Sequence, residues 1–182
     1  HPYLSVAANT TGHLVADLEI VREHFGISKW LIVGGSWGST LGLAYTEAHP
    51  DRVLGLVLRA VFLGTAREVE WAFVKGPRIF RPELYAAFCE RLPPAEQTDP
   101  LAAYLARLCD PDPKTHVPAA HAWFAYERAL SEMAPKNVSM PSDVSEGGRL
   151  PPTPLIEAHY IRHHFFLRPG QILDDAHRLA GI

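Results

Sequence analysis

The sequence predicts an α/β fold whose parallel sheet is followed by a long helical insert. Three observations predict it. Two short, continuous apolar runs, Trp30–Val33 and Val53–Leu58, flank a helical stretch, and strand–helix–strand at this spacing is a parallel βαβ unit. A glycine-rich turn carrying one serine sits where the first strand meets that helix. After about residue 64 strand-like runs disappear and proline-broken helical segments take over.

The elements follow in order. Asn9, Thr10 and Thr11 offer an N-cap before Leu14, Val15, Leu18 and Val21, which repeat at helical spacing, and Gly26 supplies the stop. Trp30-Leu31-Ile32-Val33 reads as a buried strand ended by Gly34 and Gly35. Ser39 to His49 reads as a helix closed by Pro50, Asp51 and Arg52 as a turn, and Val53 to Leu58 as a second buried strand. Helices are expected at Glu70–Phe73, Pro82–Arg91, Asp99–Leu108 and Pro118–Met133. Ala134–Pro154, rich in Pro, Ser and Gly, reads as an extended loop, Leu155–Phe166 as a helix and Asp174–Leu179 as a short last helix. The expected organisation is a core piece at 1–64, a helical insert at 65–168 and the start of a return to the core at 169–182.

Composition narrows the function. The chain has 182 residues, 47% of them apolar, enough for a domain-sized core. A net charge of -3 lacks the basic stripe of a nucleic-acid binder. No apolar run approaches the roughly 18 residues of a membrane span, and no basic-then-apolar signal opens the chain. Cys89 and Cys109 cannot build a disulfide framework and suit a reducing, cytoplasmic setting. The first residue is His1, and Leu179-Ala180-Gly181-Ile182 reads like the approach to another element, so a fragment of a longer protein is expected.

The chemistry concentrates in Val33-Gly34-Gly35-Ser36-Trp37-Gly38-Ser39, where G-x-S-x-G falls on Gly34, Ser36 and Gly38. A serine on a sharp strand-to-helix turn exposes its hydroxyl at the carboxyl edge of a sheet, and the turn crowds its neighbours, so the residues two before and two after must be small. The following helix presents backbone N–H groups, of which that of Trp37 suits a developing oxyanion. A dinucleotide-binding G-x-G-x-x-G fails, because the later glycines fall on Ser36 and Ser39, and a phosphate-binding P-loop fails for want of a lysine.

The string Gly34-Gly35-Ser36-Trp37-Gly38-Ser39-Thr40-Leu41, followed by Ala44-Tyr45, His49-Pro50, Arg52-Val53 and Leu56-Val57-Leu58-Arg59, resembles bacterial proline iminopeptidases, α/β-hydrolases that release an N-terminal proline from peptides. The resemblance continues upstream through Asn9-Thr10-Thr11 and Leu14–Glu19, and downstream through Phe62-Leu63, Glu70-Trp71, Trp123 with Glu127, Glu157 with His159-Tyr160, and Asp174–His177. It implies that Ser36 is the nucleophile of an acyl-enzyme mechanism and that Glu127 and Glu157 read the substrate's ammonium. Phe62 and Trp123 are expected to wall the pocket of the proline ring, with Trp71 and Phe73 as insert core. It also puts the family's oxyanion loop before His1 and its catalytic Asp and His after Ile182, so this stretch alone is expected to be inactive. His177, Asp174 and Asp175 lie in the family's helix before the missing strand and read as packing or capping residues.

No cofactor is implied. His159 and His163 share a helix face with Glu157 and His164 nearby, yet no H-E-x-x-H occurs, so no metal site is expected. Asn9-Thr10-Thr11 and Asn137-Val138-Ser139 are formal glycosylation sites expected to be chance matches. A generic esterase or amide hydrolase on the same fold, and a non-catalytic pseudoenzyme or binding fragment, remain the alternatives.

Overall fold

A computed structural model describes residues 5–132, 140 and 150–182. Asn137–Ser139 and most of the expected 134–154 loop lie outside the described residues. The chain divides into two compact units, one comprising residues 69–162 and the other residues 5–68 with 163–182.

In the unit of residues 5–68 and 163–182, α1 spans Thr11–His24, and the Thr10 side chain caps it by accepting the His13 N–H at 3.3 Å. Strand β1 (Trp30–Ser36) pairs in parallel with β2 (Val53–Val61), and α2 (Trp37–Ala48) connects them with a single 3₁₀ turn at Pro50–Arg52. Both strands outrun the sequence expectation. Gly34 and Gly35 do not stop β1, which continues through them to Ser36. β2 continues past Leu58, and its register with β1 slips there: Gly35 faces Arg59, while Ser36 faces Val61. Ala60 is the extra residue of this bulge and takes a left-handed φ of 46°.

Helix α2 is the hub of this unit, packing on both strands, on α1 and on the last helical turns of the chain. Its Tyr45 is fully buried. The Tyr45 hydroxyl donates to Glu19 Oε1 at 2.5 Å and accepts the Trp30 indole N–H at 3.1 Å. Arg22 closes the network with Nε and Nη2 on the two Glu19 oxygens at 2.8 and 2.7 Å. Arg22 holds the Glu19 carboxyl down at about 2, against the opposing pull of desolvation. Beyond β2, Thr65-Ala66-Arg67-Glu68 forms a capping box, with the Glu68 carboxylate accepting from the Leu63 and Thr65 backbone N–H groups at 3.0 Å each.

Helix α3 (Ala66–Glu70) runs through a wide turn at Trp71–Lys75 into α4 (Gly76–Phe80), so the segment read as a short helix at 70–73 is one longer helical run. Pro77 explains the widening. It has no N–H to give the Phe73 carbonyl four residues back. The turn opens, the Gly76 N–H bonds to the Trp71 carbonyl, and the Phe73 carbonyl takes the Tyr126 hydroxyl at 2.9 Å instead.

The unit of residues 69–162 also contains α5 (Pro82–Cys89), α6 (Pro100–Leu108), α7 (Pro113–Ser131) and α8 (Thr153–Arg162). α7 starts five residues before the expected Pro118, because Asp112 caps it from Lys114 N at 2.9 Å and Pro113 takes the first position. Pro118 is tolerated inside this long helix close to its start. α8 ends at Arg162, short of the expected Phe166, because His164, Phe165 and Phe166 all take positive φ near 50°. The core of this unit is aromatic. Phe88 lies between Tyr104 and Tyr126, with ring centroids 4.0 and 3.9 Å away and planes within 7° of parallel, and Trp123 and Leu84 complete the cluster. Phe88→Ala is expected to lower the unfolding free energy by about 3–5 kcal/mol, the usual loss for a buried Phe. Urea unfolding followed by Trp fluorescence measures it.

Candidate active site

Ser36 lies at the junction of β1 and α2 and is exposed. Its position is the N-cap of α2, where a serine ordinarily folds back to accept a backbone N–H. Here φ is 53° and ψ is -123°, and its side chain makes no capping bond. The backbone departs from the extended conformation of an ordinary N-cap, and the hydroxyl is not spent on capping the helix it begins.

The cause of this geometry is Gly34. A Cβ built there would lie 2.3 Å from the Gly38 carbonyl oxygen. The strand thus crosses the first turn of the helix with no room for a side chain. Gly38 differs from expectation: a Cβ there meets nothing within 4 Å. The need for a small residue falls before the serine rather than on both sides of it. At Gly35 the neighbour is the Arg59 guanidinium from β2, 2.8 Å from where a Cβ would stand.

Trp37, Phe62 and Phe165 form an aromatic cluster beside the elbow. Phe165 stacks on Trp37 with centroids 5.5 Å apart and meets Phe62 edge-on at 5.1 Å. Phe62 was singled out by the sequence, as a candidate wall of the ring pocket. Phe165 was not, because its ring is delivered by the left-handed turn at His164–Phe166, and a run of non-glycine residues with positive φ has no sequence signature. The Thr11 hydroxyl holds that turn by donating to the Phe165 carbonyl.

Glu127 on α7 and Glu157 on α8 are half-buried neighbours in the helical unit. The Trp123 indole N–H donates to Glu157 Oε2 at 2.7 Å. Trp123 is wholly buried, against Phe73 at 4.7 Å. Trp123, expected as a wall of a ring pocket, is a core residue that pins a carboxylate, because its body faces the aromatic cluster and only its N–H reaches the acid. Burial, and then the charge of Glu127, push the Glu157 carboxyl well above its ordinary 4.5.

Asp174, Asp175 and His177 are engaged locally. Arg168 pairs with Asp175 at 3.1 Å and Asp174 at 3.6 Å, and His177 Nδ1 lies 3.1 Å from the Asp174 carbonyl. Among the described residues no group of three or more His, Cys, Asp or Glu side chains could hold a metal ion, and no helix is long and apolar enough to cross a membrane.

Two measurements follow from this geometry. Gly34→Ala must displace backbone and is expected to destabilise by about 2 kcal/mol or more, whereas Gly38→Ala stays within about 1 kcal/mol, both read by urea unfolding. For Glu157, a carboxyl raised in the folded state stabilises fully below its ordinary 4.5 and loses that contribution as pH rises through the raised value. The urea midpoint of the parent is expected to fall between about pH 5 and pH 8, and Glu157→Gln to lose most of that slope.

Comparison with known proteins points the same way as the elbow. The sequence model of the alpha/beta hydrolase fold matches residues 3–108. A Leptolyngbya boryana protein named "Probable proline iminopeptidase" is 37% identical over 182 residues, covering 100% of this chain and 56% of the relative. The proline iminopeptidases of Xylella fastidiosa strain Temecula1 and of Arabidopsis thaliana are 36% and 35% identical, with 100% of this chain matching 58% and 46% of theirs. The chain thus spans about half the length of the curated relatives it matches. A family model covering more than half of its residues, with the serine on the turn that this fold uses for its nucleophile, makes the chain a member of the α/β-hydrolase family.

Proposed function

We propose that the protein to which this chain belongs is a serine exopeptidase that releases N-terminal proline from peptides. The elbow alone fits any serine hydrolase, so the observation that carries the reading is the Glu127–Glu157 pair held by Trp123. A carboxyl pair whose charges oppose each other is a good receptor for a cation. The ammonium of a free peptide terminus supplies that cation, and its charge-assisted hydrogen bonds suit two carboxylate acceptors.

In this reading Ser36 Oγ attacks the prolyl carbonyl carbon. A histidine base takes the hydroxyl proton and passes it to the departing peptide amine as the C–N bond breaks, and an aspartate orients that histidine. This reading assigns neither role to a residue of this stretch. The acyl ester on Ser36 is then hydrolysed by water, which returns the serine and frees proline. The Trp37 N–H, at the start of α2, donates to the tetrahedral oxyanion. Phe62 offers an apolar face to the proline ring, and Trp123 orients Glu157. No step draws on a cofactor. The free thiols of Cys89 and Cys109 suit a cytoplasmic setting.

The test compares the full-length parent, Glu127→Gln and Glu157→Gln on a free prolyl amide, an N-blocked prolyl amide and a small neutral ester, with Ser36→Ala as control. A charge-assisted bond of roughly 1.5–3 kcal/mol makes the expected loss in kcat/KM about 10–100-fold on the free prolyl amide. The ester should be hydrolysed almost as well by the variants as by the parent. Equal losses on amide and ester would reduce the reading to a generic esterase or amide hydrolase.

A further inference from the structure

We propose that Ser39 is a positioning residue for the nucleophile, tying the peptide of Ser36 to the backbone of Phe62; this rests on the reading of Ser36 as nucleophile. Ser39 Oγ donates to the Ser36 carbonyl at 2.6 Å and accepts the Phe62 N–H at 2.9 Å. The next residue adds a second tie, with Thr40 Oγ1 donating to the Phe62 carbonyl at 2.6 Å. Ser39 and Thr40 are both fully buried.

A serine in the first turn of a helix often bonds the carbonyl three residues back, and that bond alone would be ordinary. Two features make this one different. The carbonyl belongs to the residue whose φ of 53° departs from the usual N-cap, so the bond holds a strained peptide. The same oxygen also receives an N–H from 23 residues away in sequence. β2 ends at Val61, one residue past the Ala60 bulge, so Phe62 has left the strand ladder. The two hydroxyls of α2 supply its backbone partners instead. Ser36, Trp37 and Phe62 are thereby carried by one rigid frame. Ser39 itself is buried behind the turn, so its loss acts on the aim of the Ser36 hydroxyl rather than on substrate contacts. Removing it leaves the Phe62 N–H without its acceptor and frees the strained peptide to relax.

The experiment uses the full-length enzyme. Active sites are titrated with a serine-directed phosphonate, and kcat is expressed per titrated site on a free prolyl amide and on a small ester. For Ser39→Ala, kcat per site is expected to fall about 10–100-fold on both substrates, the scale of a small misplacement of a reacting atom, with KM within about 2-fold. Ser39→Cys keeps the volume, replaces the hydroxyl with a poor hydrogen-bonding thiol and is expected to behave alike; it decides the matter if the alanine variant does not fold. Ser39→Thr, which keeps the hydroxyl, is expected to recover part of kcat. Parent-like kcat per site in Ser39→Cys or Ser39→Ala, with only a lower melting temperature, overturns the positioning role. Turnover that survives Ser36→Ala instead sinks the nucleophile reading on which the proposal rests.

Discussion

The close approach of Gly34 to the carbonyl of Gly38 sets the geometry of the whole elbow. A strand that crosses a helix at 2.3 Å from a would-be Cβ leaves the chain no space for a loop, so β1 must enter α2 within one residue. That residue, Ser36, absorbs the change of direction with a left-handed φ and gives up the capping bond its side chain would otherwise make. The strain of a non-glycine residue there is on the order of 1–3 kcal/mol and persists only where the surroundings hold it. They do so through Tyr45, which binds α2 to α1 and β1, and through the hydroxyls of Ser39 and Thr40, which bind it to the end of β2. An exposed hydroxyl on a tightly held backbone is the result.

The helical unit meets its own polar demands with residues drawn from its aromatic core. Pro77 leaves the Phe73 carbonyl without a donor, and Tyr126, buried among rings, supplies its hydroxyl. Glu157 is drawn out of water, and Trp123 supplies its indole N–H. In both cases a large apolar body secures the position and one polar atom at its edge does the binding. A polar group fixed by a packed ring loses little freedom when it bonds, so the Glu157 carboxyl is held in place by Trp123.

Much of this was legible in the sequence, and the limits have physical causes. Strand, helix and strand at 30–58 showed themselves because apolar runs bounded by turn residues are what a parallel sheet needs. Asp99 and Pro100 at the start of α6 showed themselves because capping chemistry is local. The glycine pair at 34–35 misled, since glycine marks close approach as well as chain reversal, and only the Gly38 carbonyl distinguishes the two. Gly38 fits the motif and yet has space around it, which no pattern of residue types reveals. The Phe73 carbonyl that Pro77 leaves without a donor finds one in a hydroxyl 53 residues away. Phe165 depends on a left-handed turn fixed by Thr11, 154 residues earlier. Ser39 was visible as the first residue of the helix expected over 39–49; its bond to Phe62 is a property of the folded chain alone.

The two carboxyls of the helical unit expose a further asymmetry. An exposed serine on a crowded turn can acylate with many carbonyl compounds, because nothing at the turn itself reads what lies beyond the scissile bond. On the proposed reading Glu127 and Glu157 read it, and the reason lies in the strain their closeness places on the unbound protein. Two acids this close, one of them pulled from water, cannot both carry charge comfortably, and the raised carboxyl of Glu157 expresses that. A protein gains nothing in stability from such a pair, and well-packed apolar residues would serve the core at least as well. The pair becomes favourable when a cation is present to be shared. On the proposed reading, selection for a charged chain end is therefore built into the electrostatics of the empty site, and a substrate without an ammonium leaves that repulsion unrelieved.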